Sequence, residues 1–166
     1  QRPPHLCRGS AEGPRLHRGV DLVAGAVEKA GIDEADPVTG GAGSVGREVS
    51  LLLAERGYRV RVFDLPGCDF SALEGAAEVV QGDITNLAAL QPAARDADIV
   101  LHLAAILPPH SERDRETTLA VNVLGTVNLV AALAAENPDA RLVLSSSVCV
   151  YGGTRAAEPP VHIWAP

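Results

Sequence analysis

Residues 39–46, Thr39-Gly40-Gly41-Ala42-Gly43-Ser44-Val45-Gly46, decide how the rest of the chain is read. Gly40, Gly43 and Gly46 stand three residues apart, and a helical pattern over residues 47–56 follows at once. Glycine accepts a positive φ and lets backbone N–H groups come close to a ligand. The first turn of a helix holds N–H donors without partners inside the helix, and it carries a partial positive charge. A glycine-rich turn that opens a helix is therefore a seat for a phosphate or pyrophosphate. Taken alone the motif is weak, because tight loops are commonly rich in glycine. Its surroundings have to decide.

Upstream, Asp33-Glu34-Ala35-Asp36-Pro37-Val38 leads into the turn. A nucleotide-binding turn should hang from a buried apolar strand. Pro37 has no N–H for a sheet ladder, and carboxylates do not belong in a central strand. The first strand is expected to be very short, or this segment to be foreign to the natural protein. Further upstream, residues 1–19 carry Arg, Pro, Gly and His without periodicity and are expected to be disordered. Residues 20–30 carry Val20, Val23, Ala24, Val27 and Ala30 on one helical face.

Downstream the pattern is regular. Val49, Leu52, Leu53 and Arg56 form a helical stripe that Gly57 ends. Residues 58–63 read as a strand ending in Asp64, and residues 78–81 as a strand ending at Gly82-Asp83. Thr85 can cap a helix that carries Leu87, Leu90 and Ala94. Residues 99–103 are apolar except for His102, as in a parallel strand covered on both faces. Residues 117–136 form the longest helical pattern, with Leu119, Val123, Val127, Val130 and Leu133 as its stripe. Residues 142–144 make a further strand running into Ser145-Ser146-Ser147. Alternating strands and helices predict an α/β fold, a doubly wound parallel sheet of about five strands in the order 3-2-1-4-5. Three segments are expected: a poorly ordered extension with one short helix (1–36), a nucleotide-binding domain (37–155) and a Pro-rich tail (156–166).

Composition fits that reading. The chain has 166 residues, 46% hydrophobic and 21% charged, enough for one globular domain. Its formal net charge of −7 argues against a nucleic-acid or anionic-membrane partner. No apolar run has the length of a membrane span, and no signal-peptide pattern opens the chain. Cys7, Cys68 and Cys149 lie far apart without a CxxC pair, which predicts free thiols and a cytoplasmic location. The sequence has no methionine, and residues 157–166 carry no element; both suggest a fragment, or a sequence with altered ends.

Four features at strand ends raise the glycine turn above a tight loop. Asp64 follows Gly46 by 18 residues. A carboxylate there accepts hydrogen bonds from ribose hydroxyls and repels a 2′-phosphate, which favours NAD over NADP. The alternative is a surface Asp opening the Leu65-Pro66-Gly67 turn. Asp83 could face an adenine amino group, or could simply complement a helix N-terminus. Small residues after His102 let the backbone pass close to a cofactor, while His102 itself reads as a satisfied core histidine. A serine from Ser145-Ser146-Ser147 would lie on the ligand side of the sheet. Cys149 reads as a small buried hydrophobe.

These pieces, in this order and spacing over residues 38–153, resemble the extended short-chain dehydrogenase/reductase family of the NAD-dependent epimerase/dehydratase type. The matching segments are residues 39–46, Val62-Phe63-Asp64, Gly82-Asp83-Ile84, His102-Leu103-Ala104-Ala105, Asn122-Val123-Leu124-Gly125-Thr126 and residues 145–152. The resemblance implies a Rossmann fold and an oxidoreductase chemistry on a sugar or nucleotide-sugar. It implies that Gly40, Gly43 and Gly46 form the dinucleotide turn, with Ser44 and Val45 over the pyrophosphate. Asp64 would bind the ribose, Asp83 and Ile84 would line the adenine, and Leu103, Ala104 and Ala105 would contact the middle of the cofactor. Asn122 would support the active site and Ser147 would be the catalytic serine. The helix at 117–136 would contribute to a homodimer interface.

One departure stands out. The family's acid/base is a Tyr four residues before a Lys, which together move a proton as hydride moves. The sequence has no Tyr-x-x-x-Lys; Tyr151 has Arg155 at that spacing and belongs to the serine segment. The expectation is an NAD-binding part without the substrate-binding domain, inactive by itself. A non-catalytic NAD(P)-sensing module and a non-functional truncated product are the alternatives.

Overall fold

The computed structural model describes residues 36–147; the expected helix at 20–30, the tail at 156–166, Cys7, Cys149 and Tyr151 lie outside them. Five parallel strands form one sheet in the order β3-β2-β1-β4-β5, as the alternation of elements predicts. They are β1 (Asp36–Thr39), β2 (Val60–Asp64), β3 (Glu78–Gln81), β4 (Ile99–His102) and β5 (Arg141–Leu144). Between them run α1 (Ser44–Glu55), α2 (Leu87–Ala94), the short α3 (His110–Arg113) and the long α4 (Arg115–Glu136).

Both faces of the sheet are covered. Val38, Val60, Val62, Ile99 and Leu101 pack with Val49 and Leu53 of α1 on one side. Phe63 and Val100 point the other way and pack with Leu90 of α2 and with Val121, Leu129 and Leu133 of α4. The period-two alternation of the strands thus sorts each one into two cores. Each fully buried Leu or Phe contributes roughly 1.5–3 kcal/mol of transfer free energy.

β1 does form despite Pro37. The chain direction explains why. Gly40 N–H donates to Phe63 O of β2, whereas Thr39 O accepts from Leu103 N–H beyond β4. Successive residues of a strand address opposite neighbours, so the Pro37 nitrogen faces the β4 side. β1 pairs with β2 from Asp36 onward but with β4 only from Val38. Pro37 therefore stands where that ladder has not begun and needs no donor.

The long helix corrects the expected stripe. Leu119, Val123, Val127 and Val130 are exposed, and of that stripe only Leu133 is buried. The buried face is Val121, Gly125, Leu129, Ala132 and Leu133. Small residues mark it because the backbone comes close: a Cβ on Gly125 would lie 2.7 Å from Ile84 Cγ2. A π turn at Ala120–Leu124 interrupts the helix, closed by Gly125 N–H donating to Ala120 O. By length and composition α4 could cross a membrane, which corrects the expectation that no stretch has that length; its inner face is bonded to the sheet and loops described below.

Two smaller corrections are local. Asn86, not Thr85, caps α2, its side chain accepting from Ala88 N–H at 3.1 Å. Cys68 is disulfide-bonded, so the expectation of free thiols fails there.

Candidate functional site

The carboxyl ends of β1, β2, β3 and β4 open onto one cavity of about 250 Å³. All eleven residues assigned to the cofactor from sequence line it: Gly40, Gly43, Ser44, Val45, Gly46, Asp64, Asp83, Ile84, Leu103, Ala104 and Ala105. Phe63, Leu65, Gly82, Ile106, Leu107 and Val121 complete the wall; the sequence reading quotes Phe63 and Gly82 within motifs but assigns none of the six to the cofactor.

The glycine turn is built for a close approach. Gly40 has φ +74°, and a Cβ there would lie 2.7 Å from Ala104 N. A Cβ on Gly46 would run into Gly40 O, and one on Gly41 into Val62 Cγ1. Gly43 N–H donates to Gly40 O at 3.1 Å, and Arg47 N–H to Gly43 O at 2.9 Å. The latter is the first bond of α1. Gly43 stands at the N-cap with no side-chain cap, and α1 has no acidic residue in its first turn. The N–H groups of Ser44, Val45 and Gly46 thus have no partner inside the helix and sit at the cavity wall. This is the donor set for an anionic group.

Asp64 connects the turn to the end of β2. Its Oδ2 accepts from Ala42 N–H at 3.0 Å and its Oδ1 from Leu65 N–H at 2.8 Å. Burial raises its pKa above the ordinary carboxylate value; the two N–H groups pull the other way without cancelling it. The Asp is thus more than the start of a surface turn: it holds the glycine loop and faces the cavity. Asp83 spends Oδ1 on Thr85, accepting from its N–H at 2.9 Å and its hydroxyl at 2.7 Å. That turn presents Asp83 and Ile84 at the wall, and Gly82 permits it, since a Cβ there would lie 2.7 Å from the Phe63 ring. A glycine immediately before a strand-end Asp was the available signal.

α4 holds the far side. The Asn122 side chain accepts from Ile106 N–H at 2.8 Å and donates to Ile106 O at 3.0 Å. Asn128 donates to Ile84 O at 3.2 Å and to Thr85 O at 2.9 Å. Both loops belong to the cavity wall, so one helix fixes its two ends. His102 is buried, with Thr39 Oγ1 2.7 Å from Nδ1 and Thr126 Oγ1 2.8 Å from Nε2. It is a satisfied core histidine, and burial lowers its pKa.

A family model described as the NAD dependent epimerase/dehydratase family matches residues 37–162. The chain belongs to this family. It is an extended short-chain dehydrogenase/reductase with the family's Rossmann sheet. The chain is 36% identical over 125 residues to a 3 beta-hydroxysteroid dehydrogenase/Delta 5→4-isomerase from Mycobacterium tuberculosis, covering 72% of this chain and 34% of that protein. It is 33% identical over 135 residues to a D-erythronate dehydrogenase from Cupriavidus necator, covering 75% of this chain and 41% of that protein. A solved short-chain dehydrogenase/reductase superfamily protein from Agrobacterium tumefaciens, with bound NAD, aligns at TM-score 0.66 and 36% identity, over 80% of this chain and 38% of the other. The chain thus spans about a third to two fifths of these relatives' length.

The two residues assigned to catalysis from sequence do not line the cavity. Asn122 acts on it through the Ile106 backbone. Ser147 is exposed, follows β5 and does not line the cavity. The structure brings the expected cofactor residues together and leaves these two outside that wall.

Proposed function

We propose that the cavity binds NAD, and that this chain is the cofactor-binding part of an enzyme transferring hydride on a sugar or nucleotide-sugar. The observation that carries the reading is the joint placement of the unspent N–H groups of Ser44, Val45 and Gly46 and the Asp64 carboxylate on one wall. The donor chemistry fits a pyrophosphate and the acceptor chemistry fits vicinal ribose hydroxyls, beside a glycine turn in which a Cβ at Gly40 or Gly46 would clash. The likeness to a solved relative with bound NAD supports it.

NAD, when bound, supplies the hydride acceptor or donor. The chain's own residues bind and orient it. Helix α1 neutralises the pyrophosphate charge with its N–H groups, and Asp64 accepts from the ribose while repelling a 2′-phosphate. Gly82, Asp83 and Ile84 receive the adenine, and Leu103 to Ala105 pass behind the middle of the cofactor. Ser147, at the exit of β5, would hold a substrate oxygen, and Asn122 would keep the Ile106 loop in place. The sequence contains no Tyr-x-x-x-Lys, so this reading assigns the chain cofactor binding and no acid/base of its own. The exposed apolar residues of α4, Leu119, Val123, Val127 and Val130, would pair with a second copy in a homodimer.

The similarity to a D-erythronate dehydrogenase supports a polyhydroxylated substrate. The 36% identity to a hydroxysteroid dehydrogenase favours a second reading, in which the substrate is a sterol. Thermal unfolding with and without NAD tests the shared part, because a ligand that binds only the folded state raises the midpoint. An unchanged midpoint at millimolar NAD contradicts it. Turnover of uronates, nucleotide-sugars and hydroxysteroids by a protein containing this chain and its continuation separates the two substrates.

A further inference from the structure

We propose that His102 is a positioning residue of the cofactor groove: as the neutral tautomer protonated on Nε2, it locks the glycine turn, the strand exit behind it and α4 into one spacing. The inference rests on the NAD reading for its functional consequence, and on hydrogen-bond direction for its chemistry. Thr126 Oγ1 donates its only proton to Asn122 O at 2.8 Å. Toward His102 Nε2, 2.8 Å away, the hydroxyl can therefore only accept, so Nε2 carries a proton. At the other nitrogen, Thr39 Oγ1 lies 2.7 Å from Nδ1 and receives Ala104 N–H at 3.4 Å. Its own proton then goes to Nδ1. The chain runs one way: Ala104 N–H to Thr39, Thr39 to His102, His102 to Thr126, and Thr126 to the Asn122 carbonyl.

Each end of this chain is a piece of the groove. Thr39 immediately precedes Gly40, and Ala104 is the backbone against which Gly40 packs most closely. Asn122 grips Ile106 with its side chain while its carbonyl receives the relay. β5 holds the ring's own backbone, since Ser145 donates to His102 O through both N–H and Oγ–H, at 3.3 and 3.2 Å. Among the described residues, the side chains bonded to His102 are Thr39 from β1 and Thr126 from α4 at the ring and Ser145 after β5 at the carbonyl; none is charged or titratable. A proton added at Nδ1 would leave the Thr39 hydroxyl without its acceptor.

The test uses NAD titration calorimetry on the chain and on Thr39→Val, Thr126→Val, Thr39→Ser and Thr126→Ser. Each valine keeps the shape and removes one link; each serine restores the hydroxyl. The valine variants should bind NAD about tenfold more weakly, as for one lost buried hydrogen bond, and the serine variants should recover most of the loss. If the parent chain binds NAD and the valine variants bind it equally well, this inference fails and the NAD reading stands. If the parent chain binds no NAD, the NAD reading fails and the functional part of this inference falls with it. A second measurement does not depend on variant folding. Nitrogen-15 NMR of the His102 ring in the parent chain at neutral pH should show a neutral imidazole protonated on Nε2. A ring protonated on Nδ1, or charged, overturns the proposal.

Discussion

Replacing Asp64 by Asn is the sharpest probe of cofactor choice, because it removes a charge and keeps a shape. In the structure both carboxylate oxygens are engaged, Oδ2 by Ala42 N–H and Oδ1 by Leu65 N–H. An Asn side chain has one acceptor oxygen, so one of these N–H groups loses its partner, at about 1–3 kcal/mol. Burial already raises the carboxyl pKa. Removing the buried charge therefore offsets part of that loss, and the variant should remain folded. Binding should respond more clearly. Hydrogen bonds from ribose hydroxyls to a charged acceptor contribute about 1.5–3 kcal/mol, so NAD affinity should fall roughly ten- to hundredfold. The 2′-phosphate of NADP no longer meets a carboxylate; at about 4 Å and an effective dielectric near 20 that repulsion is of order 4 kcal/mol per charge pair. The ratio of NAD to NADP affinity should thus collapse by about hundredfold or more, as NAD loses and NADP gains. Calorimetric titration of both nucleotides into both proteins at one salt concentration measures it. A parent chain that binds NADP as tightly as NAD, or an Asp64→Asn variant with an unchanged ratio, would refute the reasoning.

Three further outcomes follow from the geometry. Gly46→Ala puts a methyl against the Gly40 carbonyl and within 2.9 Å of other turn backbone; unfolding free energy should drop by about 1–3 kcal/mol and NAD binding should be lost, as urea titration and calorimetry would show. Because burial lowers the His102 pKa, the unfolded chain takes up that proton more readily; its contribution to stability is complete above about pH 6.5 and is lost as pH falls toward the folded value, so His102→Asn should flatten the acid limb of midpoint against pH. Val127→Lys on the exposed face of α4 should leave the fold intact and convert a dimer to a monomer in analytical ultracentrifugation; a parent chain already monomeric at high concentration removes that part of the proposal.

The sheet was legible because its strands are marked by chemistry that survives without coordinates. Residues 99–101 are apolar on both faces, and Asp64 and Gly82-Asp83 stand where strands stop. The set of residues that share one cavity followed, because in a parallel sheet the strand ends share one edge. What stayed hidden depends on direction and distance. The apolar stripe Leu119, Val123, Val127 and Val130 gives α4 its period, but period alone does not say which of two faces turns inward. Gly125 decides that by letting the backbone approach Ile84, and a small residue leaves little mark in a hydrophobicity pattern. Pro37 reads as a strand breaker until one knows that its nitrogen faces a neighbour whose ladder has not started. The roles of Asn122 and Asn128 lie in pairs 16 and 44 residues apart, a separation that sequence spacing does not encode.

The proposed role of the glycine turn is to seat a dinucleotide at the start of α1. Amide chemical shifts of the nitrogen-15-labelled chain, followed as NAD is added, test it most directly. Saturable changes are expected, concentrated at Gly40, residues 43–46, Leu65, Ile84 and residues 103–105, with the far ends of the strands unmoved. No change at saturating NAD, or changes confined to surfaces away from residues 40–46, would contradict it.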